Sequence, residues 1–397
     1  MQVHRIAKGV LLFVGSLTVL SGAIIAPSLP LIAEHLSRQG LDSEYAAFWV
    51  KMLLSIPALV ILLCSPLMGY VIDRFGRRKV ILTGLCLFAI SGVWSGIYPS
   101  LSILVLSRIG LGVAVAMSMT TAITLISDYL EGPEREQFMG YFSSALSIGG
   151  MVYFILGGFV AMLSWRAPFF IYLLGIPAFF LAYCHLPEPM LEKPQQLSQD
   201  SNNKEKLPLA LVGVLYLTAL FLMAIYFIIP TQLPFILGES GFKKPFHVGL
   251  TTACCSLAVT IAAMNFGWLK QKFSDPALFT VGFLCIAVGY GIIYLDNHYV
   301  SIVLGLFSAG LGFGCVMPNV GTWLMRIASP SMRGRLSGGL SSSINMGQFL
   351  SPLIATFAIS FGATINAFGF FASVSFVIAL LYGVYSIICA SYLQNKL

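Results

Sequence analysis

Apolar runs of about twenty residues, each closed by a short polar break, follow one another along the whole chain. They cover residues 9–33, 49–71, 80–98, 101–127, 138–161 and 167–186, then 209–236, 247–269, 276–295, 299–325, 337–361 and 365–391. Runs of that length match the hydrocarbon thickness of a bilayer, and lipid offers no partner to unpaired backbone, so each is predicted to be helical. The segment Leu186–Pro208 breaks the rhythm. Its Gln195, Ser198, Asp200, Asn202, Asn203 and Lys204 give it the composition of a flexible linker. The pattern therefore predicts an all-α membrane protein of twelve transmembrane helices in two pseudo-symmetric six-helix bundles, residues 1–187 and 208–397, joined by a cytoplasmic linker at 188–207.

Internal similarity supports the two halves. Gly110-Leu111-Gly112 recurs 200 positions later as Gly310-Leu311-Gly312, and Gly69 has a counterpart 198 positions later in Gly267. Pro133-Glu134-Arg135-Glu136 before Gly140 is echoed by Pro330-Ser331-Met332-Arg333-Gly334-Arg335 before Gly338. Composition agrees: 58% of the 397 residues are hydrophobic and 9% are charged, against about 25% charged in a soluble domain. A soluble enzyme, a disordered chain and a secreted disulfide scaffold are excluded. The eight cysteines are scattered through apolar runs without metal-ligand or redox spacing. The basic start, Met1 to Lys8, leads into an apolar run that reaches Pro27–Pro30 without a small-residue cleavage site, so it reads as an uncleaved first helix.

The net charge is +7, and its placement is topological. One side of the predicted spans carries Arg5, Lys8, Arg74, Arg77, Arg78, Lys79, Arg135, Lys193, Lys204, Lys206, Lys270, Lys272, Arg326, Arg333, Arg335 and Lys396. The other carries only Arg38, Lys51, Arg166, Lys243 and Lys244, and Arg108 is left inside a span. Positive charge marks the cytoplasmic side, which places both termini there and removes any need for a nucleic-acid partner.

The densest charge sits between spans two and three, in Gly69-Tyr-Val-Ile-Asp73-Arg74-Phe-Gly76-Arg77-Arg78-Lys79. Its glycines are expected to let two helix ends approach closely. The order of residues resembles the signature loop of the major facilitator superfamily, G-x-x-x-D-R-x-G-R-R, at every fixed position. Arg108-Ile-Gly110-Leu-Gly112 is similar to an R-x-x-x-G motif of that family's exporter branch, and Ser127-Asp128 through Arg135 is similar to the end of the same helix. Ala26-Pro27-Ser28-Leu29-Pro30 resembles the end of span one in its proton-coupled drug exporters. The resemblance implies a conformational latch built from Gly69, Asp73, Arg74, Gly76, Arg77, Arg78 and Asp128. Two departures stand out. Gly149, Gly157 and Gly158 match the branch's G-x-x-x-G-P-x-x-G-G pattern, but Tyr153 and Phe154 occupy its Gly-Pro positions. In the second half Gly267 and Lys272 remain, while Gln271 stands where the loop aspartate would be.

Arg108 costs about 2.5–3.5 kcal/mol to insert, so it should face the bundle interior. There it either bonds carbonyls as a packing element or serves coupling and anion binding. Proton coupling needs a carboxylate, and the candidates are Glu34, Asp73 and Asp128; Glu34 is expected to approach Arg108 if spans one and four face each other. Gln232, Asn265, Asn319, Asn345, Gln348 and Tyr153 are candidates for the cavity lining, with Thr120, Thr121, Thr124, Tyr141, Tyr216 and Tyr226 nearby. Pro318 and Pro352 lie close to the two asparagines of spans ten and eleven. No nucleotide-binding loop, zinc motif or nucleophile elbow occurs, so neither ATP hydrolysis nor another enzymatic activity is expected, and no cofactor or metal beyond a proton gradient. The resemblance implies a monomeric secondary transporter in a bacterial inner membrane, surrounded by lipid, that exports small amphipathic molecules by proton antiport. The alternatives are a dedicated exporter of a siderophore or anionic metabolite, an uptake permease, and a non-transporting receptor.

Overall fold

The computed structural model describes residues 5–98, 100–189, 208–329, 332–360, 362 and 364–394. The linker from residue 190 to 207, with Lys193, Lys204 and Lys206, lies outside them, as does Lys396. The described residues form helices and turns, with no strand. In the first half these are α1 (Arg5–Ala23), α2 (Leu29–Arg38), α3 (Ser43–Phe75), α4 (Arg77–Ile97), α5 (Leu101–Tyr129), α6 (Gly132–Ala161), α7 (Ala167–Phe170) and α8 (Gly175–His185). The second half holds α9 (Leu209–Glu239), α10 (Pro245–Met264), α11 (Phe266–Lys272), α12 (Asp275–Leu295), α13 (Tyr299–Ile327), α14 (Arg333–Ile359) and α15 (Asn366–Gln394).

The helix count exceeds twelve because three spans are interrupted. Pro27 and Pro30 cannot donate the backbone bonds a continuous helix needs, so a 3-10 turn at Ala26–Ser28 separates α1 from α2. A second 3-10 turn, Ile171–Leu174, separates α7 from α8, and Asn265 ends α10 ahead of α11. Eleven described spans are long and apolar enough to cross a bilayer. The predicted eleventh span, α14, is a 27-residue helix but too polar to be among them. Its Ser337, Ser341, Ser342, Ser343 and Asn345 are compatible with its position, since it packs on α9 and α3 rather than standing alone in lipid.

Two large apolar cores form, beside a small third cluster of Met68, Ile72, Val80 and Ala116. One large core contains buried residues from Ala7 to Leu186, the other from Val212 to Ala379. Large apolar side chains such as Leu63, Leu163, Leu295, Val300 and Leu381 remain exposed on the outside, as a lipid-facing belt requires.

The halves repeat in one register. Helices α4 and α12 have equal length and are 198 positions apart, as are α5 and α13. Gly84 faces Ser118 and Gly282 faces Val316, its counterpart 198 residues on. Gly112 abuts Val60 and the Pro57 carbonyl, while Gly310 abuts Ala258 and the Cys255 carbonyl at the same spacing. The Gly-Leu-Gly match therefore corrects by two residues. Gly112 corresponds to Gly310, and Gly110 corresponds to Ser308.

Helices α3 and α6 carry most of the first half's contacts to the second, through α14 and α10 respectively. Their burial is asymmetric. The start of α3 buries Val50 through Ala58 without interruption, whereas its second half buries only Met68 and Ile72. In α14 the buried residues are Gly347, Ser351, Pro352, Ala355 and Ala358 near one end, with Leu336 alone near the other. The bundles thus meet at the end holding the α3 start and the α14 finish, termed here the far end. They part at the opposite end, which holds the basic loops.

Candidate functional site

At the basic end, α4 begins immediately after Gly76. That glycine has φ +88°, a left-handed conformation that side chains disfavour, and it turns the chain sharply enough to start a new helix at Arg77. The Arg77 side chain is 8% exposed; it pairs with Asp128 at 3.1 Å and with Asp73 at 3.1 Å, and reaches the Ile72 carbonyl. Asp128 is 19% exposed and Asp73 is 73% exposed. Breaking a buried pair by removing one partner costs about 3–5 kcal/mol, so the mostly buried Arg77–Asp128 contact, at or below that range, holds the group together. Asp73 adds little.

Arg74 turns outward, bonding the Tyr70 hydroxyl and lying against the Phe75 ring. Arg78 donates to the Tyr183 carbonyl and stacks 4.9 Å from the Tyr183 ring. Gly69 has open space where a side chain would stand, so the expected close helix approach occurs at Gly76 and not at Gly69.

One member of this group was not anticipated. The Glu188 carboxylate accepts the backbone N–H of Arg77 at 2.6 Å and that of Arg78 at 2.8 Å. Unpaired N–H groups and the helix dipole make the α4 N-terminus a site for negative charge, and Glu188 fills it. A side chain at position 76 would stand 2.9 Å from the Glu188 carboxylate. The Tyr129 hydroxyl also donates to the Pro187 carbonyl, so the segment after α8 is tied to both α4 and α5.

The second half holds the same device with its charges exchanged. Asp275 starts α12 where Arg77 starts α4, and Arg326 ends α13 where Asp128 ends α5. Asp275 is 9% exposed and pairs with both Arg326 and Lys270. Asn319 donates to the Asp275 carbonyl at 2.9 Å and accepts from Lys270 at 3.3 Å. Partial burial and the nearby Arg326 charge lower the Lys270 pKa. Asn319, expected in the cavity, is instead fully buried as a brace of this cluster.

Arg108 lies ~10 Å from the far-end start of α5 at 1.5 Å per residue and is 1% exposed. Its guanidinium donates to the Tyr172 hydroxyl at 3.0 Å and sits 5.4 Å from the Phe169 ring centre and 5.2 Å from that of Tyr172. Tyr172 in turn donates to the Ser21 carbonyl at 2.8 Å. Gly92 makes room, since a side chain there would overlap the Tyr172 ring. Each ring contact is worth about 0.5–2 kcal/mol, which offsets part of the insertion cost. One Arg108 nitrogen has no partner, and among the described residues no carboxylate lies within ion-pair distance. Glu34 does not approach it: that carboxylate is exposed and pairs with Arg38 one turn away, at 2.6 Å.

Lys51 corrects the charge map. It lies eight residues inside α3, with its side chain 8% exposed, and its ammonium sits 4.6 Å from the Phe235 ring centre on α9. It is not a loop cation. Gln232, one turn from Phe235, is fully buried and both its amide atoms lack partners. That position is in the closed far-end seam, not in an open cavity.

The remaining cavity candidates scatter. Tyr153 is buried and its hydroxyl lies 3.0 Å from that of Ser16. Asn265 and Asn345 turn their amides back onto carbonyls of their own helices, Ile261 and Ser341. Gln348 is half-buried on α14. The Tyr153-Phe154 pair suits its place: α6 runs unbroken through it, and Gly249 of α10 packs against the Phe154 carbonyl.

Over 351 residues, 84% of each chain, the sequence is 28% identical to the quinolone resistance protein NorA of Staphylococcus aureus. It is 26% identical over 345 residues, 83% of each, to multidrug resistance protein 2 of Bacillus subtilis. Among solved structures, a D-xylose–proton symporter superposes with TM-score 0.78 at 17% identity, covering 94% of this chain and 96% of that one. A bacterial homologue of the human lysosomal transporter Spinster superposes with TM-score 0.77 at 17% identity, covering 95% and 96%. The family model described as Major Facilitator Superfamily matches residues 11–246 and again 239–387. The chain belongs to the major facilitator superfamily.

Proposed function

We propose that this protein is a secondary transporter that exports small amphipathic organic molecules, and that a proton gradient drives it. The observation that carries the reading is the asymmetric seam, packed at the far end and parted at the basic end. A central path open to one side only is one half of an alternating-access cycle. Similarity to quinolone and multidrug resistance proteins over most of the chain supports export of drug-like cargo. The excess of basic residues at the parted end supports reading that end as cytoplasmic, the side on which an exporter loads. Asp73, mostly exposed and bonded only within its own turn, stands ready to engage the other bundle when that end closes.

A second reading, export of one anionic metabolite such as a siderophore, draws support from Arg108 and Lys51, two buried cations with no carboxylate within ion-pair distance among the described residues. Proteoliposomes test the first reading. With an imposed pH gradient, ethidium should move in the wild type and stop in Arg108→Ala. Equal movement with and without the gradient removes proton coupling, and movement in the uptake direction favours a permease. Failure of every cargo tested favours the receptor reading.

A further inference from the structure

Lys51 and Gln232 have no role in the latch or in the Arg108 group. Helices α3 and α9 run in opposite directions across the seam between the bundles, in contact where Lys51 meets Phe235. Ser55 lies one turn further along α3 from Lys51, and Gln232 lies one turn back along α9 from Phe235. Helical rise therefore puts Ser55 and Gln232 at about the same level, 4–6 Å beneath the Lys51–Phe235 contact. Both are fully buried, and the Ser55 hydroxyl and both Gln232 amide atoms lack partners. Lys51 itself has an aromatic face for company and no hydrogen-bond acceptor among the described residues. Buried polar groups are normally satisfied. An ammonium, a hydroxyl and an amide left unsatisfied on facing helices form a donor set that one anionic oxygen group completes.

We propose that Lys51, Ser55 and Gln232 form a subsite for a carboxylate of the transported molecule, on the path between the bundles near its far end. The subsite rests on the transporter reading and specifies its cargo: an amphipathic molecule whose apolar part meets Phe235 and whose carboxylate meets the ammonium. In the packed state the subsite is dry, and among the described residues no carboxylate lies within ion-pair distance of Lys51. As the far end opens, water reaches Lys51 and the carboxylate is released. Glu239, on the same α9 face one turn beyond Phe235, accepts from Thr364 and attracts Lys51 from beyond ion-pair distance, so the ammonium keeps its direct donor positions open.

A matched pair of fluorescent probes tests this. Rhodamine 110 carries a free carboxylate, and rhodamine 123 is its methyl ester. Purified protein in nanodiscs should bind the acid at least tenfold more tightly than the ester, by fluorescence anisotropy. Lys51→Gln should remove that preference while leaving ester binding within twofold, and Lys51→Arg should keep it. Gln232→Leu should weaken acid binding without lowering thermal stability, since it replaces an unsatisfied amide by an apolar side chain. Wild-type protein that binds the two probes alike, or binds neither, overturns the subsite. So does an acid preference that survives Lys51→Gln. Cellular efflux of both probes separates the two ideas: an acid preference in nanodiscs with no efflux from cells keeps the subsite and sinks the exporter reading. Efflux of both with no preference does the reverse.

Discussion

Glu188 accepts two backbone N–H groups at the start of α4 and so adds a carboxylate that the signature loop does not contain. Removing a helix-capping acceptor costs about 0.5–2 kcal/mol. Glu188→Ala should therefore lower the denaturant midpoint of the purified protein by an amount near 1 kcal/mol, whereas Glu34→Ala should leave it within error. Equal effects would show that Glu188 does not cap the helix. Tyr172 links Arg108 to the Ser21 carbonyl. Tyr172→Phe keeps the ring and removes the link, so transport should fall by about tenfold, equivalent to ~1.4 kcal/mol, with protein yield unchanged. Arg108 was legible in the sequence because a cation in the middle of an apolar run has no cheap explanation. Lys51 was not. It lies near the predicted start of its run, but α3 begins six residues earlier than predicted, where the Asp42 carboxylate accepts the N–H groups of Glu44 and Tyr45. Glu188 gave no linear signal either, since its partners lie 110 and 111 positions away.

Helix existence was readable throughout, because an apolar run of bilayer length leaves the backbone one option. What the pattern missed were the breaks at Ala26–Ser28, Ile171–Leu174 and Asn265, which lie inside runs that stay apolar. Register was also half-seen. The Gly-Leu-Gly repeat suggested a 200-residue offset, while packing against the preceding span selects 198. At that offset Ile72 corresponds to Lys270, Arg77 to Asp275 and Asp128 to Arg326. Arg326→Gln should destabilise the second bundle, because Asp275 is 9% exposed and would keep only Lys270. The triple variant Lys270→Ile, Asp275→Arg, Arg326→Asp reproduces the first-half arrangement and should recover more than half of that loss in thermal unfolding. No recovery would mean that the two clusters are not interchangeable. Between α12 and α13, Asp296 is held below the usual carboxylate range by bonds from the Ser301 hydroxyl, the His298 N–H and the His298 ring. Its contribution is present above the ordinary carboxylate pKa and is lost as pH falls through the lowered folded value. Asp296→Asn should flatten that acid limb of a stability–pH curve.

At the scale of the whole molecule, the parted end and the packed end should exchange during transport. Cysteine pairs placed across the basic-end halves of α3 and α14 should move closer, by electron-spin distance measurement, when cargo and gradient are present; a fixed distance would contradict alternating access. A fluorescent protein fused after Leu397 should fold and emit if the C-terminus is cytoplasmic. The packed end is unusual in its material. A side chain on Gly249 would stand 2.4 Å from the Phe154 carbonyl, and one on Gly158 would stand 2.8 Å from the Pro245 carbonyl. Gly249→Val should therefore wedge the far end apart and raise labelling of far-end cysteines. The consequence is kinetic. Where main chain lies directly on main chain, separation requires no rotamer to be re-sorted and no interdigitated side chains to be withdrawn. The α6–α10 part of the joint therefore slides and lifts with little internal friction, so resistance to opening should come from the side chains packed between α3, α9 and α14 and from the charge clusters at the other end.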